Sequence, residues 1–510
     1  MQLFWKKYHK WGGILFTVFI LMFCCTGIVL NHQKYFSSYD VSRSWMPQRY
    51  QYTHWNNGIV KGTLRLTDGR ILMYGNAGIW LTDSCFSTFT SFNTGLAEGI
   101  ENREIGNLIQ MPDGSVWSAA LFELYVLQEG GQWQEYPLPG HDEQLSDVIQ
   151  HGDTLIALSR SYVYRAVAPD YIFDRIQLQP PGNYSPEETL FRMVWLLHSG
   201  ELFGITGKLI VDGLAIVLVV LCITGIIYWV LPSLIRHRKR RQMKAQSHIS
   251  LLRGSLKWHN RLGAYLIILT LLLSVSGMCL RAPLRTPLVK VKVNPIPGSS
   301  LDSENAWHDK LRAIRWDEHL NAWLLGTSKG FYQMDYLSDV PHKIKHAPAA
   351  SSMGINVFAL DPEHKNTWLV GSLSGFYRWN PAEESVTDYF TGKSVSERRK
   401  SGSSTAVSGY STDLLDCAVV FQRQNGATDY AGIQLLPPMP DELKNQPMSL
   451  WNFCLELHVG RFFSSLLGSL TQWFVFASGF ILSFILVSGY IVYRKRYKRR
   501  PIKHIPKQFK

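Results

Sequence analysis

The feature that most constrains this chain is an apolar segment that occurs twice, each time directly after a histidine. The first copy carries His9 and runs to residue 30, and the second carries His259 and runs to residue 280. A shift of 250 residues superposes these histidines and places Gly13 on Gly263. Because about 20 apolar residues cross a bilayer as a helix, each copy predicts a membrane span with a histidine near its beginning.

A second pair of segments follows the same pattern. His198 stands two residues before Gly200, His458 stands two residues before Gly460, and each segment precedes a further apolar run. The four predicted spans are roughly 11–30, 209–231, 262–280 and 473–492. Together they predict a membrane protein with four helices and four histidines in two symmetric pairs.

Charge predicts the orientation of these spans. Three segments without any acidic residue, 1–11, 232–257 and 494–510, hold 20 of the 52 basic residues, and the rest of the chain has 32 basic and 39 acidic residues. By the positive-inside rule, both termini and the 232–257 loop are cytoplasmic, and the two long inserts are outside. Each basic run adjoins a span, which indicates contact with membrane lipid and disfavours nucleic acid as a partner.

The duplication divides the chain into a tandem repeat, predicted to form a four-helix bundle with an external all-β part. The predicted boundaries are helix 1 at 1–31, β insert 1 at 32–190, the first histidine elbow with helix 2 at 191–235, a basic loop at 236–257, helix 3 at 258–282, β insert 2 at 283–447, the second elbow with helix 4 at 448–494, and a basic tail at 495–510.

The inserts contain a shorter repeat of their own. Two β-rich runs meet around a turn at Gly75 and Gly78, and similar pairs recur near 112–127, 151–164, 322–332 and 367–379, with a weaker copy near 418–422 and 430–435. A period of about 40 residues is typical of propeller blades. Half a propeller would expose long strand edges, so we expect both inserts to close one propeller of about six blades. Two separate small β domains are the alternative.

The histidine pairs predict a buried metal cofactor. Pseudo-symmetry places His9 opposite His259 and His198 opposite His458, at two depths in the membrane. Neutral imidazole binds iron well, so we expect two haems, each with its iron held by two histidines. Such iron has no open position, which favours electron transfer over oxygen chemistry. No Cys-x-x-Cys-His motif occurs, which disfavours covalently attached haem.

Other interpretations stay open at this point. Any one of these histidines could simply lie at the interface, beside lipid headgroups. His32, whose counterpart in the second half is Ala282, is either a rival ligand of the outer pair or an interfacial residue. No catalytic residue can be named, and a disulfide between Cys85 and Cys417 in the inserts is only conceivable.

The membrane segments resemble the PepSY-associated transmembrane family of iron-regulated bacterial inner-membrane proteins. The matching pieces are the four histidine segments together with Thr26-Gly27, Thr224-Gly225, Ser276-Gly277 and Ser488-Gly489. The resemblance implies b-type haem at His9, His198, His259 and His458, and a ferric-reductase role that releases iron from ferric siderophores in the periplasm. The inserts depart from the family, because they look like propeller blades rather than a PepSY module.

The resemblance and the histidines together lead us to expect a di-haem reductase that serves iron uptake. The cytoplasmic segments are too short for a flavin or nicotinamide domain, so the electron donor would be a quinol, a soluble flavin or a partner reductase. The acceptor would be a ferric complex or a periplasmic protein at the propeller. The alternative is a propeller-based periplasmic sensor or binding module, anchored by the four helices.

Overall fold

The structure, a computed structural model, describes residues 2–497 except 183, 350, 352, 396–404, 416 and 428–432. Most of the predicted basic tail, from residue 498 onward, lies outside the described residues, as does Tyr430 in the weakest predicted repeat. Among the described residues the α-helices are α1 (Gln2–Asn31), α2 (Gln33–Phe36), α3 (Leu190–Ser199), α4 (Gly204–Arg240), α5 (Gln246–Tyr265), α6 (Ile267–Cys279), α7 (Arg285–Lys290), α8 (Asp441–Lys444), α9 (Leu450–His458), α10 (Ser464–Leu467) and α11 (Thr471–Tyr497).

The strands form antiparallel sheets that follow one another along the chain. In the first half they are β1 (Asp40–Val41), β2 (Gly62–Arg65), β3 (Ile71–Gly75), β4 (Gly78–Thr82), β5 (Phe89–Ser91), β6 (Ile105–Gln110), β7 (Val116–Ala120), β8 (Leu124–Leu127), β9 (Trp133–Tyr136), β10 (Leu145–His151), β11 (Thr154–Ser159), β12 (Val163–Val167), β13 (Asp174–Ile176) and β14 (Glu188–Thr189). In the second half they are β15 (Lys292–Val293), β16 (Leu311–Asp317), β17 (Ala322–Thr327), β18 (Gly330–Met334), β19 (His342–Lys343), β20 (Val357–Leu360), β21 (Trp368–Ser372), β22 (Gly375–Asn380), β23 (Ser385–Asp388), β24 (Val407–Leu414), β25 (Cys417–Gln422), β26 (Gly426–Ala427) and β27 (Met448–Ser449).

The chain divides into two compact units, each built from both halves of the sequence. The helical unit contains the residues up to Gln33, Pro186–Asp302 and the residues from Trp451 onward. The β unit contains Lys34–Ser185 and Ser303–Leu450. The apolar spans of the sequence therefore belong to the helical unit, and the β-rich inserts form the β unit.

The core of the helical unit is a cluster of apolar side chains from α1, α4 and α11, with side chains of α6 packed against it. Within the described part of the chain, three helical segments are long and apolar enough to cross a membrane, namely Leu3–Asn31, Glu201–Arg240 and Arg461–Lys495. The consecutive helices α5 and α6 supply a fourth only if they count as one span. The structure therefore agrees with several membrane-spanning helices, three of which are continuous.

The predicted third span is not one straight helix. Helix α5 extends back through residues assigned to the basic loop, and it meets α6 at Leu266 with a bend of 68°. Composition changes at the same point, because α5 carries Arg253, Lys257 and Arg261 whereas α6 has no charged residue. The predicted helix 3, at 258–282, contains His259 and the apolar part, whereas residues 246–257 of α5 were assigned to the basic loop.

The β unit contains six consecutive sheets of three or four strands among the described residues. They are β2–β5, β6–β9, β10–β13, β16–β19, β20–β23 and β24–β26, and each pairs its strands in chain order. The tight turns lie where the sequence predicts them, with Gly75 paired to Gly78 and Ser372 paired to Gly375. The prediction that both inserts are β-rich is confirmed.

Buried apolar clusters lie between successive sheets. Separate clusters join the first sheet to the second, the second to the third, the third to the fourth, the fourth to the fifth and the fifth to the sixth. A further cluster joins Met73 and Trp80 of the first sheet to Leu414, Val419 and Phe421 of the sixth. The first and last sheets, from opposite ends of the β unit's sequence, thus share one core.

Candidate functional site

His9 and His259 lie side by side in the helical unit. His9 belongs to α1 and His259 to α5, and their ring centres are 6.0 Å apart with an angle of 72° between the ring planes. Both side chains are half-buried. The structure therefore brings together two histidines that are 250 residues apart in the sequence, as pseudo-symmetry predicts.

His198 and His458 form a second pair with nearly the same spacing. Their ring centres are 6.3 Å apart, with an angle of 54° between the ring planes. His198 is the last residue but one of α3, and His458 is the last residue of α9. A glycine two residues after each histidine adopts a left-handed conformation, with φ of 83° at Gly200 and 78° at Gly460. Glycine adopts this conformation at little cost, so the sequence ends both helices within one residue of the histidine.

The two pairs lie at opposite ends of α1. His9 belongs to the first pair, and Gly27, eighteen residues later on the same helix, contacts the ring of His458 from the second pair. At 1.5 Å per residue this separation is roughly 27 Å along the helix axis. The pairs are thus two distinct sites along α1.

The Nδ1 atom of every one of these histidines is held by a neighbouring helix. His9 Nδ1 lies 3.0 Å from the backbone oxygen of Ile485, and His198 Nδ1 lies 3.1 Å from that of Leu273. A carbonyl oxygen can only accept a hydrogen bond. Both imidazoles must therefore carry their proton on Nδ1, which leaves the Nε2 lone pair available.

His259 and His458 reach the same tautomer through threonines. Nδ1 of His259 lies 2.9 Å from Oγ1 of Thr224, and Nδ1 of His458 lies 2.8 Å from Oγ1 of Thr26. Each threonine hydroxyl already donates to a carbonyl of its own helix, at 2.6 Å for Thr224 and 2.7 Å for Thr26. The hydroxyl oxygen is then the acceptor, and Nδ1 of the histidine is the donor.

Glycines next to these hydroxyl residues make room for the rings. A Cβ added at Gly489 or Gly277 would lie 2.7 Å from Cε1 of His9 or His198, respectively, closer than such atoms approach in proteins. A Cβ added at Gly27 would lie 3.4 Å from Cε1 of His458, and one added at Gly225 would lie 3.7 Å from Cε1 of His259. Each histidine is therefore seated on a Ser-Gly or Thr-Gly step of another helix.

These steps are functional candidates. In the sequence they mark the family resemblance but do not indicate a role of their own. They are Thr26-Gly27, Thr224-Gly225, Ser276-Gly277 and Ser488-Gly489. The signal was present, because one such step occurs for every histidine. Their contact with particular histidines, such as Thr26 with a residue 432 positions away, could not be read from spacing along the chain.

The residues fit a metal shared by each pair. No Nε2 atom of these four histidines has a hydrogen-bond partner among the described residues. If two imidazoles bound one metal from opposite sides through metal–nitrogen bonds of about 2.0–2.1 Å, their ring centres would lie roughly 6.3 Å apart. The observed 6.0 and 6.3 Å lie at that separation.

His32, the predicted rival at the outer pair, has a different partner. Its Nε2 lies 2.6 Å from Oδ2 of the buried Asp212 on α4, and Asn31 donates to the other carboxylate oxygen at 2.9 Å. This contact occupies one of the two ring nitrogens of His32. The structure thus gives His32 to a polar contact between α1 and α4, while His198 faces His458.

The histidines and cysteines of the β unit do not form a comparable site. His342 lies in β19, and His346 is bound to Glu384 at 2.6 Å, so they share no helix face. One group of three possible ligands, Asp361, Glu363 and His364, occurs among the described residues. Arg378 forms ion pairs with the carboxylates of Asp361 and Glu363, at 2.8 and 3.2 Å, respectively.

The two cysteines of the β unit, Cys85 and Cys417, are exposed free thiols.

A polar cavity lies among the first strands of the six sheets. Its volume is about 270 Å³, and each of β2, β6, β10, β16, β20 and β24 contributes to its lining. Asp147 accepts hydrogen bonds there from Asn107, at 2.9 Å, and from Arg315. Tyr74 donates to the side-chain oxygen of Asn107 at 2.9 Å.

Comparison with known protein families identifies the helical part. The profile of the PepSY-associated TM region family matches residues 1–231 and, a second time, residues 214–496. The chain belongs to this family. Each match contains one of the duplicated halves. The same result therefore supports both the assignment to the PepSY-associated family and the tandem repeat predicted from the sequence.

Other comparisons add little to the PepSY-associated assignment. The search of curated proteins finds no match. Among solved structures, the extracellular domain of a one-component system from B. thetaiotaomicron has 10% identity and a TM-score of 0.35, covering 79% of this chain and 36% of its own. A virginiamycin B lyase from Staphylococcus aureus has 8% identity and a TM-score of 0.31, covering 74% and 96%, respectively. The chain thus spans about a third of the first of these structures.

Proposed function

We propose that this protein is a di-haem transmembrane oxidoreductase that transfers electrons across a membrane to an external acceptor. His9 and His259 would hold one b-type haem, and His198 and His458 would hold the other. The observation that carries the proposal is the pair of ring separations, 6.0 and 6.3 Å, between histidines whose Nε2 atoms have no other partner among the described residues.

Haem iron held by two histidines exchanges single electrons without needing an open coordination position. The chain's own residues supply the ligands and fix them in place. The Nδ1 hydrogen bonds to Ile485, Leu273, Thr224 and Thr26 hold each ring in one tautomer and one orientation. Such outer contacts tune both the affinity of a metal site and its potential.

The placement of the pairs at opposite ends of α1 supports transfer from one face of a membrane to the other. The basic segments support cytoplasmic termini and a periplasmic β unit, because basic residues are enriched in cytoplasmic loops. Helices α1, α4 and α11, with the bent pair α5–α6, would form the four-helix bundle that encloses both sites. The bacterial inner membrane is the location that this arrangement and the family favour.

The β unit would be one propeller of six blades that both inserts close. The cluster shared by Trp80 in the first sheet and Phe421 in the sixth supports a closed ring, because an open half-propeller would expose that apolar surface. The polar cavity among the innermost strands would then be the start of the central channel.

The acceptor that best suits the family is a ferric complex, such as a ferric siderophore in iron uptake, or a periplasmic protein held at the β unit. The donor would be a quinol, a soluble flavin or a partner reductase. These substrates rest on the family resemblance, and no catalytic residue that touches an acceptor is assigned.

A sensor or binding module is the second candidate function. It is favoured by the size of the β unit, which contains six sheets around a polar cavity of about 270 Å³. In that case the helices only anchor the β unit or transmit a signal, and the purified protein would be colourless. The presence or absence of haem therefore separates the two functions.

The test is the haem content of single histidine variants of the full-length protein. His198→Ala and His458→Ala should each remove one haem and leave the other, and so should His9→Ala and His259→Ala at the opposite end. His32→Ala is the matched control, and it should retain both haems because the ring beside His458 is that of His198 and not that of His32. Full haem content in all four site variants would overturn the assignment.

A further inference from the structure

A guanidinium group without a partner lies at the end of α6 near the His198/His458 pair. Arg281 follows α6 directly after Leu280 and is half-buried. Among the residues that the structure describes, its side chain makes neither a hydrogen bond nor an ion pair. Its charged neighbours are two further arginines, Arg461 and Arg285, and one acid, Glu456.

The one acid in this group is already matched by another arginine. Nε of Arg461 donates to both carboxylate oxygens of Glu456, at 3.1 and 2.9 Å, and a second nitrogen of the same guanidinium also contacts the carboxylate. Arg285 lies over the ring of Phe191, with 5.5 Å between the guanidinium carbon and the ring centre. Among the described residues, the half-buried guanidinium of Arg281 is therefore left without an ion pair of its own, and the exposed Arg285 adds a second positive charge beside it.

Such an excess of positive charge indicates a bound anion. A partly desolvated cation is costly unless an opposite charge or strong hydrogen bonds compensate it. The planar guanidinium of arginine matches the two oxygens of a carboxylate and binds them as a pair. The group of Arg281, Arg285 and Arg461 thus has the chemistry of a carboxylate site.

The position of Arg281 connects this site to the histidine pair. Gly277, on which the ring of His198 is seated, precedes Arg281 by four residues, about one helical turn. His458, the other member of the pair, is within electrostatic reach of Arg281. The first half of the chain lacks this feature, because Asn31 is the counterpart of Arg281 and is bound to Asp212.

We propose that Arg281, assisted by Arg285 and Arg461, binds carboxylate groups beside the His198/His458 pair. The proposal rests on the proposed function and extends it. The carboxylates have two possible sources, the propionates of a haem held by this pair or the carboxylates of a ferric chelate that receives electrons there. Both sources supply the same chemistry, and experiment separates them.

The test compares Arg281→Gln and Arg281→Lys in the full-length protein, purified in detergent without added lipid. Lys208→Gln is the matched control, because it removes a positive charge near the start of α4, where Glu201 lies 2.9 Å away. Two quantities are measured: the midpoint potentials of the haems by spectroscopic titration with a chemical reductant, and the affinity for citrate and for ferric citrate.

If the carboxylates are propionates, Arg281→Gln lowers the midpoint potential of one haem, since the oxidised form carries more positive charge, and citrate affinity is unchanged. If they belong to a chelate, the affinity for citrate falls by about tenfold or more, the loss expected for one charge-assisted hydrogen bond, and the potentials stay the same. In both cases Arg281→Lys shows a smaller effect and Lys208→Gln shows none.

Unchanged potentials and unchanged citrate affinity in Arg281→Gln would overturn the proposal and leave lipid phosphate as the counter-ion of Arg281. Purified protein without haem would contradict the proposed function instead. The citrate measurement still applies to such protein, so the two failures are distinguishable.

Discussion

The hydroxyl oxygen of Thr26 lies 2.8 Å from Nδ1 of His458, and the two residues are 432 positions apart in the sequence. The same relationship joins Thr224 to His259 at 2.9 Å. In both cases a threonine of one duplicated half orients a histidine at a candidate cofactor site. The hydroxyl residues thus belong to the candidate site as much as the histidines do.

Thr26→Val should weaken the His198/His458 site selectively. Valine keeps the shape of the side chain and removes the acceptor for Nδ1 of His458. Loss of such an outer contact typically lowers metal affinity about 10- to 100-fold, so we expect the variant to lose one haem during purification. Thr270→Val is the control, because the Thr270 hydroxyl bonds only to carbonyls of its own helix. Equal haem content in both variants would contradict the role given to Thr26.

Gly277→Ala should disturb the His198/His458 pair, whereas Gly225→Ala should be tolerated. The added Cβ lies 2.7 Å from Cε1 of His198 in the first variant and 3.7 Å from Cε1 of His259 in the second. The first distance forces the ring to move, and the second is an ordinary contact. Haem content, with the absorbance spectrum of each variant, measures the difference, and the same loss in both variants would argue against the close approach.

Phe421→Ala should destabilise the β unit by about 3–5 kcal/mol, the usual cost of removing a buried phenylalanine. Phe421 is fully buried in the cluster that joins the first and sixth sheets. Urea unfolding followed by tryptophan fluorescence measures the change, and Tyr336→Ala, at a site that is 71% exposed, is the control. If the two variants unfold at the same urea concentration, the first and sixth sheets do not share a core.

The β unit should lose stability in acid partly through Asp361. Burial alone would raise the pKa of this carboxyl, but hydrogen bonds from the backbone of Glu363 and the side chain of Arg378, with the Arg378 charge, hold its pKa below the usual value. The stabilisation is therefore complete above the pKa of the unfolded chain, about 4, and is lost as the pH falls through the lower, folded pKa.

Asp361→Asn should accordingly lower the melting temperature at neutral pH and have little effect at a pH below both pKa values. The control is Asp170→Asn, at an exposed position. Thermal unfolding recorded across this pH range checks both variants. A loss of the same size at every pH would indicate a packing effect rather than the charge of Asp361.

The sequence predicts the parts that repetition and hydrophobicity encode. The duplicated halves identify both histidine pairs, the apolar runs locate the helices, and glycine pairs such as Gly75 and Gly78 mark the β turns. These signals lie in short stretches of sequence or in a repeat with a fixed shift of residues, so they can be recognised from the sequence alone.

The sequence could not predict contacts between residues that lie outside the repeated segments. No proline marks the bend at Leu266, and the nearby Gly263 lies within α5. The contact between His32 and Asp212 depends on how α1 packs against α4. The last strands of the first three sheets, such as β5 and β13, are short and mostly polar. Tertiary pairing rather than strand propensity therefore determines that they form.

A visible absorbance spectrum of the purified full-length protein, recorded before and after reduction with dithionite, tests most directly whether the two histidine pairs hold haem. The account predicts a Soret band that shifts on reduction, the α and β bands of b-type haem with two histidine ligands, and two haems per chain by extraction. Protein that shows no Soret absorbance and contains no iron would contradict it.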